Sequence, residues 1–318
     1  MAARLTTRRT FLADAVLTTG ALALSPAPVR PAMGAQDERM HVACNSYSWT
    51  VFYQRQGRNF DQLLEEGLAE VAASGLDGFE PSFGDVAQVE RLAPLLKKHG
   101  LGMRSFYVNS LLHEAGRADK SIRQILAVAP RARDAGARIV VTNPNPLAWG
   151  GAQDKNDEQL RVQAAALNRL GAELKKLGLT LAYHNHDMEL RQAAREFHHM
   201  MLGTDPANVT LCLDAHWVYR GSGNSQVALF DIVRLYGRRI RELHLRQSAG
   251  GVWTEAFGDG DIDYRALADA LRHEGVRPHI VLEQAIENGS PNTMPPLEAF
   301  AKSTEYVRRL FAGLGEKA

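Results

Sequence analysis

Short apolar runs and longer segments of helical periodicity alternate along the chain from Met40 onward, eight times in all. This alternation predicts a parallel α/β fold, because each buried strand is followed by a helix that covers it. The sequence predicts strands near residues 41–47, 78–81, 102–107, 138–142, 180–184, 209–214, 240–245 and 279–284.

The segments between these strands carry apolar residues at every third or fourth position, as at Leu64, Leu68 and Val71, which predicts amphipathic helices. Glycines stand where the helices should end, at positions 75, 100, 136, 178 and 275. Eight strand–helix units in about 280 residues predict a single-domain (β/α)8 TIM barrel over residues 36–318. A doubly wound open sheet is the alternative, but the sequence has no Gly-x-Gly-x-x-Gly that opens a helix and no P-loop.

The first 35 residues differ from the rest of the chain. Residues 7–12 read Thr-Arg-Arg-Thr-Phe-Leu, residues 13–24 are mostly apolar, and residues 25–35 are rich in proline and alanine. This segment resembles a twin-arginine signal peptide, although the lysine usual after Phe-Leu is Ala13. An apolar helix of this length spans about 18 Å, short of the ~30 Å bilayer core, so no stable membrane anchor is expected. We expect export by the twin-arginine machinery and a periplasmic or secreted mature protein.

Composition and charge narrow the classes of protein. Hydrophobic residues make up 45% of the 318 residues, enough for a sizeable core, and the net charge is +1. Residues 1–35 hold four arginines and one aspartate, so their removal leaves a net charge of −2. A mildly acidic chain offers no basic field for nucleic acid, which is therefore not expected as a partner. Cys44 and Cys212 show no zinc-binding spacing, and both are expected to be buried thiols.

Four consecutive predicted strands end in residue types that bind metals. Alternate residues of a barrel strand face the interior, and the chemistry of such barrels lies at the carboxyl ends of the strands. This alternation points His184, Asp214, His244 and Glu283 inward at the ends of strands five to eight. Their charges would be buried unpaired unless a cation lay among them. Two imidazoles and two carboxylates favour Mn, Co, Zn or Fe over Ca or Mg.

Five motifs lie in order at or beyond these strand ends. They read Tyr-His-Asn-His-Asp-Met-Glu at 183–189, Leu-Asp-Ala-His-Trp at 213–217, Leu-His-Leu-Arg at 243–246, Phe-Gly-Asp-Gly-Asp-Ile-Asp at 257–263 and Val-Leu-Glu-Gln at 281–284. Through them the chain, roughly from Met40 to Leu314, resembles the xylose isomerase-like barrel superfamily of sugar phosphate isomerases and epimerases.

The resemblance implies a metal held by one residue from each of strands five to eight, and Asp214, His244 and Glu283 match that pattern directly. Many relatives have Glu where this chain has His184, although a Tyr-His-Asn-His form is itself a recognisable subgroup. Relatives often read x-Lys-Asp after the histidine of strand seven, and this chain reads Leu-Arg-Gln at 245–247.

A divalent cation in such a site polarises a substrate carbonyl and stabilises the enediolate that forms when the adjacent C–H loses its proton. Glu283 is the best-placed base if it acts like its family counterpart. His186 and Glu189 are candidates for a second proton-transfer group, with support of His184 as the alternative role. Epimerases of the superfamily tend to use two metal-bound glutamates, and His184 replaces one of them here.

Further residues at the same end of the barrel are candidates for substrate binding. One of His216 and Trp217 is expected to hydrogen-bond a sugar hydroxyl and the other to form an apolar wall. Arg246 could hold a carbonyl, a carboxylate or a phosphate, or could pair with Glu242. Glu80 ends strand two and points inward, with an internal salt bridge as the alternative to substrate binding. Asn143 and Asn109, past strands four and three, are weaker candidates.

The expected function is a metal-dependent isomerase or epimerase acting on a sugar or keto-sugar, without phosphate because the periplasm is a poor source of sugar phosphates. A 3-keto-glycoside lyase or hydratase is the alternative, since β-elimination needs only one base. A non-catalytic periplasmic sugar-binding protein is the alternative from another class. An endonuclease IV-like DNA enzyme is disfavoured by the net charge and by the small ligand set. Relatives form dimers or tetramers, so a homo-oligomer is compatible with the resemblance.

Overall fold

Parallel strands form the inner wall of the protein, as the alternating sequence pattern predicts. A computed structural model describes residues 40–314, and the predicted signal peptide at 1–35 lies outside these described residues. The eight strands, β1 to β8, are Val42–Asn45, Gly78–Glu80, Ser105–Tyr107, Ile139–Thr142, Thr180–His184, Val209–Asp214, Ile240–Leu245 and His279–Leu282. The expectation of a (β/α)8 TIM barrel is confirmed.

The sheet is ordered β2-β1-β8-β7-β6-β5-β4-β3, and every neighbouring pair is parallel. Gly78 and Gly102 form the parallel bridge that joins β2 to the β3 side and brings the barrel close to closure. A Cβ atom on Gly78 would lie 2.6 Å from Cε1 of His41 and 2.7 Å from the carbonyl oxygen of Gly102. Only glycine therefore allows the strands to approach at this seam.

Helices cover the outside of the barrel. Within the described residues these helices, α1 to α10, are Ser46–Arg55, Leu64–Ala73, Val86–Lys98, Ala115–Asp134, Asp157–Lys176, Arg191–Leu202, Ala215–Gly221, Gln226–Tyr236, Tyr264–His273 and Pro296–Leu310. A short hairpin, Ser248–Ala249 with Val252–Trp253, follows β7. None of the described helices is long and apolar enough to cross a membrane.

The first strand ends earlier than the sequence pattern predicts. Asn45 caps α1, since its side-chain oxygen accepts a hydrogen bond of 2.7 Å from the backbone N–H of Tyr47. Tyr47 therefore lies in a helix and not in the predicted strand 41–47. The five glycines expected at helix ends, at 75, 100, 136, 178 and 275, all have positive φ, which confirms their predicted role.

The barrel interior divides into an apolar half and a polar half. Ile139, Val141, Ala182 and Cys212 pack together on the side of β4 to β6. The opposite side, formed by β1, β2, β7 and β8, carries polar side chains towards the carboxyl ends of the strands. Cys44 and Cys212 are buried free thiols, as expected. At the carboxyl ends of β5 and β6 the apolar side also becomes polar, since these strands end in His184 and Asp214.

Candidate active site

The four predicted metal-ligating side chains meet at one end of the barrel. One potential ligand atom from each of His184, Asp214, His244 and Glu283 lies within 4.8 Å of the others, and all four residues are buried. His184 ends β5 and Asp214 ends β6. His244 lies in β7 and Glu283 directly follows β8, so four neighbouring parallel strands bring these side chains to the carboxyl end of the barrel. We call these residues the four-ligand cluster.

Asp214 presents one carboxylate oxygen without a hydrogen-bond partner. Its Oδ1 accepts a bond of 2.8 Å from the backbone N–H of Trp217 and so caps α7. Its Oδ2 is buried and has no partner among the described residues. Burial raises the pKa of Asp214 to about 7, because a charge here is poorly solvated. A cation beside Oδ2 would remove this penalty.

His184 supplies a neutral imidazole to the cluster. Burial, with the nearby ring of His244 as a further cause, holds the pKa of His184 well below its ordinary value. Asn143 fixes the strand end, since its side-chain amide donates to the backbone oxygen of His184 at 2.9 Å. A neutral imidazole has a lone pair free for a metal ion. The buried set of two imidazoles and two carboxylates therefore fits a divalent transition metal, as the sequence predicts.

Arg246 forms an ion pair with Glu283 and also hydrogen-bonds its backbone. Its Nη2 lies 3.0 Å from Oε1 of Glu283, and its Nε donates to the Glu283 backbone oxygen at 2.9 Å. Burial alone would raise the pKa of Glu283, but the Arg246 guanidinium and the His244 hydrogen bond outweigh burial and lower it. The guanidinium carbon Cζ of Arg246 also lies 4.1 Å from the ring centre of Trp253 and 5.1 Å from that of Trp217. The suggested pairing of Arg246 with Glu242 is wrong, because Glu283 takes the guanidinium.

A second pair of carboxyl groups lies beneath His244, deeper in the barrel. Nε2 of His244 is 3.0 Å from Oε1 of Glu242 and 3.3 Å from Oε1 of Glu80. Burial and the neighbouring Glu80 raise the pKa of Glu242. Burial would raise the pKa of Glu80 as well, but His244 and the hydrogen-bond donors around Glu80 lower it. We call these two groups, Glu80 and Glu242, the carboxyl pair.

A cavity of about 400 Å³ opens above the four-ligand cluster. Six predicted candidates line it, namely Asn109, His184, His186, Trp217, Arg246 and Glu283. The other lining residues are Asn45, Tyr47, Ser82, Tyr107 and Trp149. Aromatic rings over a polar floor are a common way to bind sugars, because C–H faces of the sugar pack on the rings while the hydroxyls find polar partners.

His186 faces the cavity. Its ring centre lies 5.1 Å from that of Trp149 and 5.6 Å from that of Trp217, and its Nδ1 has no partner among the described residues. Burial lowers the pKa of His186 to about 4, so the imidazole is neutral near pH 7. The neutral ring of His186 can therefore exchange a hydrogen bond or a proton with a substrate in the cavity.

Four of the predicted candidates do not reach the cavity. Glu189 turns back and accepts bonds from the His186 backbone N–H at 2.6 Å and from the Asn143 amide at 3.2 Å, because the turn Met188–Leu190 points it inward. His216 contacts Ser248 at 3.0 Å and supports the hairpin after β7. Glu80 belongs to the carboxyl pair. Their expected places beside a substrate, like that of Asn143, are corrected by this geometry to supporting positions around the site.

The sequence reasoning missed several lining residues. Tyr107 shares the inward parity of Ser105 on β3, so the alternation used for strands five to eight could have identified it. Tyr47 lies on the first turn of α1 and Trp149 in the loop after β4, where no periodicity indicates direction. Their exposed fractions, 46% and 55%, place both at the mouth of the cavity.

Comparisons with known proteins agree with this architecture. Residues 68–310 match the family model described as "Xylose isomerase-like TIM barrel", and the chain belongs to this family. The sequence is 25% identical over 281 residues to an inosose dehydratase of Clostridium perfringens, covering 78% of this chain and 90% of that protein.

Solved structures share the fold. A sugar phosphate isomerase/epimerase from Parabacteroides distasonis superposes with a TM-score of 0.67 at 18% identity, covering 91% of this chain and 99% of that one. The 3-keto-D-glucoside 4-epimerase YcjR from E. coli gives 0.63 at 15% identity, covering 85% and 100%. Since the relatives are named as enzymes, the expectation of an enzyme, with a lyase among the options, is confirmed.

Proposed function

We propose that the protein is a metal-dependent lyase that removes water or an alcohol from a keto-sugar or a related cyclic polyol ketone. The observation that carries this proposal is the number of acids at the cavity. Among the described lining residues, Glu283 is the only carboxylate. Epimerisation by two opposed carboxylates needs a second one, whereas β-elimination can use one group as base and then as acid.

The four-ligand cluster would hold the metal, which when bound supplies Lewis-acid polarisation of a substrate carbonyl and of the hydroxyl beside it. Glu283 takes the proton from the carbon next to the carbonyl, because it is the ionised carboxylate at the cavity floor. The electron pair of that C–H bond becomes the new C=C bond as the β C–O bond breaks. Glu283 returns its proton to the departing oxygen, so that the products are the unsaturated ketone and water or alcohol.

Arg246 stabilises the negative charge that develops on the substrate oxygen. Its Nη1 is buried and has no partner among the described residues, while Nη2 is committed to Glu283. A fixed guanidinium in a dry pocket stabilises such charge strongly, since it needs no reorientation during the reaction. The two tryptophan rings beside it keep water away from the same groups.

The named activity of the sequence relative supports elimination, since a dehydratase removes water. The cavity of about 400 Å³ admits more than a single pyranose ring, which also suits a glycoside. We therefore propose inosose-like ketones and 3-keto-glycosides as the substrates to test first.

An epimerase or isomerase is the second candidate, and the position of His186 favours it. His186 lines the cavity, and its ring could return a proton to the opposite face of the planar intermediate. Glu283 and His186 would then form the acid and base pair that two glutamates provide in related epimerases.

Proton NMR in D₂O distinguishes the two candidates. Protein loaded with Mn²⁺ is incubated with scyllo-inosose, methyl 3-keto-glucoside and a ketohexose, and the Mn²⁺ is removed before spectra are recorded. Elimination gives an unsaturated product with release of water or methanol, whereas epimerisation gives a deuterated stereoisomer. Glu283→Gln should lower either activity about 10²- to 10⁴-fold. Glu255→Gln, which alters a buried glutamate that does not line the cavity and accepts a hydrogen bond from Thr293, is the matched control. No turnover of any ketone would contradict the proposal.

We also propose that residues 1–35 direct export by the twin-arginine route. The support is the Thr-Arg-Arg-Thr-Phe-Leu sequence at 7–12 and the apolar stretch after it. Fractionation of cells that express the full chain should find a shortened protein in the periplasm. Changing Arg8 and Arg9 together to Lys should retain the full-length protein in the cytoplasm, and export of that variant would contradict this route.

A further inference from the structure

The carboxyl pair beneath His244 remains outside the reaction proposed above. Glu80 and Glu242 are wholly buried, and neither forms a salt bridge with a lysine or arginine among the described residues. Asn45 donates to Oε1 of Glu80 at 2.6 Å and Ser105 to Oε2 at 2.9 Å. Two glutamates so deep in a barrel are costly, which calls for a role.

We infer that Glu80 and Glu242 are positioning residues that fix the tautomer of His244, so that its Nδ1 lone pair is presented to the metal site; this inference rests on the proposed metal site. A neutral imidazole has one N–H and one lone pair, and a nitrogen that binds a metal cannot carry a proton. Nε2 faces two carboxyl oxygens, at 3.0 and 3.3 Å. An oxygen lone pair in that position selects the Nε2–H tautomer.

The other face of the ring supports the same assignment. Nδ1 lies 2.7 Å from Oε2 of Glu283, inside the four-ligand cluster. Without a metal, a protonated ring donates from Nδ1 to Glu283 and from Nε2 to the carboxyl pair. When a metal takes the place of the Nδ1 proton, the carboxyl pair retains the proton at Nε2 and keeps the Nδ1 lone pair directed at the four-ligand cluster.

Hydrogen-bond donors fix the position of the Glu80 carboxylate within the carboxyl pair. Asn45 lies on β1 and Ser105 on β3, so hydrogen bonds reach the Glu80 carboxylate from both neighbouring strands. Glu242 instead keeps Oε2 without a partner and touches Cys212 only weakly, with Sγ 3.6 Å from Oε1. Glu80 is the anchored member of the pair, and Glu242 is the nearer acceptor for His244.

Zn²⁺ affinity provides the first test, measured by competition with a chromogenic chelator. Outer carboxylates of this kind are commonly worth about 10- to 100-fold in metal affinity, so Glu242→Ala should weaken Zn²⁺ binding by that factor. Glu242→Gln keeps an acceptor oxygen and should restore affinity to within about threefold of the starting protein. Glu255→Gln, which alters a buried glutamate outside the four-ligand cluster and the carboxyl pair, should leave affinity unchanged.

Nitrogen-15 NMR of the histidine rings in the Zn²⁺-loaded protein is the second test, and it is independent of activity. We expect Nε2 of His244 to be protonated and Nδ1 to be the ligand, both in the starting protein and in Glu242→Gln. If Glu242→Ala does not fold, Glu242→Leu takes its place, because leucine fills the space of the glutamate but offers no acceptor, and a weakened affinity in that variant supports the inference.

Metal coordination through Nε2, or unchanged affinity in a folded Glu242→Ala or Glu242→Leu variant, would overturn the inference while leaving the metal site intact. Failure of the starting protein to bind Zn²⁺ at all would overturn the proposed metal site together with the inference.

Discussion

Arg246 holds Glu283 at two points, with Nη2 3.0 Å from the carboxylate and Nε bonded at 2.9 Å to the backbone oxygen of the same residue. The double contact fixes both the position and the ionisation of the only carboxylate that lines the cavity among the described residues. It also separates this chain from relatives with lysine at the position of Arg246, because an ammonium group cannot make the same fork.

Replacement of Arg246 by Met should therefore lower kcat about 10²- to 10³-fold, since the variant loses the cation that stabilises developing charge. Arg246→Lys should recover only part of this loss, because a point charge does not fix the carboxylate in one plane. Steady-state kinetics on the substrate found by NMR measure both effects. Arg161→Met, at an exposed position on α5, is the control, and equal losses in both methionine variants would refute a specific role.

Removal of the metal should lower the melting temperature, because a ligand that binds only the folded state stabilises it. At a free metal concentration 100 times its dissociation constant the gain is about 2.7 kcal/mol, which amounts to several degrees. Differential scanning calorimetry with EDTA and then with added Mn²⁺ or Zn²⁺ measures the change. Asp214→Asn, which loses the partnerless carboxylate, should show little response to metal. A full response in that variant would argue against Asp214 as a ligand.

Glu189 should make the protein less stable as the pH rises from about 4.5 to about 7. Burial and the nearby Glu196 raise the pKa of Glu189 from 4.5 to about 7, so the folded state favours the protonated form. Its stability contribution is thus fully present below pH 4.5 and is lost as the pH passes through 7.

Glu189→Gln cannot ionise, so its stability relative to the starting protein should increase by about 2 to 3 kcal/mol between pH 5 and pH 8. Urea unfolding of metal-free protein at both pH values gives this difference. The same comparison for Glu255→Gln should be flat over this range, because interactions with Thr293 and Arg55 lower the pKa of Glu255 despite its burial. A flat profile for Glu189→Gln as well would show that Glu189 is ionised throughout.

Gly78→Ala should destabilise the barrel by about 1 to 3 kcal/mol, since the added methyl group would lie within 3 Å of His41 and of the Gly102 backbone. Gly116→Ala is the matched control: a Cβ there meets no atom within 4 Å, and the site is helical. The free energy of unfolding of Gly116→Ala should be unchanged or higher by up to about 1 kcal/mol. Thermal unfolding of both variants decides whether the seam between β2 and β3 needs glycine.

Sequence reasoning went furthest where a residue's direction follows from strand alternation. His184, Asp214, His244 and Glu283 were predicted to share one end of the barrel, and the structure brings a ligand atom of each within 4.8 Å of the rest. Where a side chain's direction depends on a turn, strand alternation does not predict it. Glu189 lies only five residues beyond His184, yet the turn at Met188–Leu190 rotates it away from the cavity.

The sequence by itself determined the barrel, the order of its strands and the four residues of the four-ligand cluster, because periodicity records which side chains face inward. Only the tertiary structure decided the pairings inside. Arg246 pairs with Glu283 and not with Glu242. Glu80 on β2 and Glu242 on β7 meet at Nε2 of His244, although 162 residues separate them in sequence. Such contacts depend on distances between strands that are remote in sequence, and no local pattern encodes them.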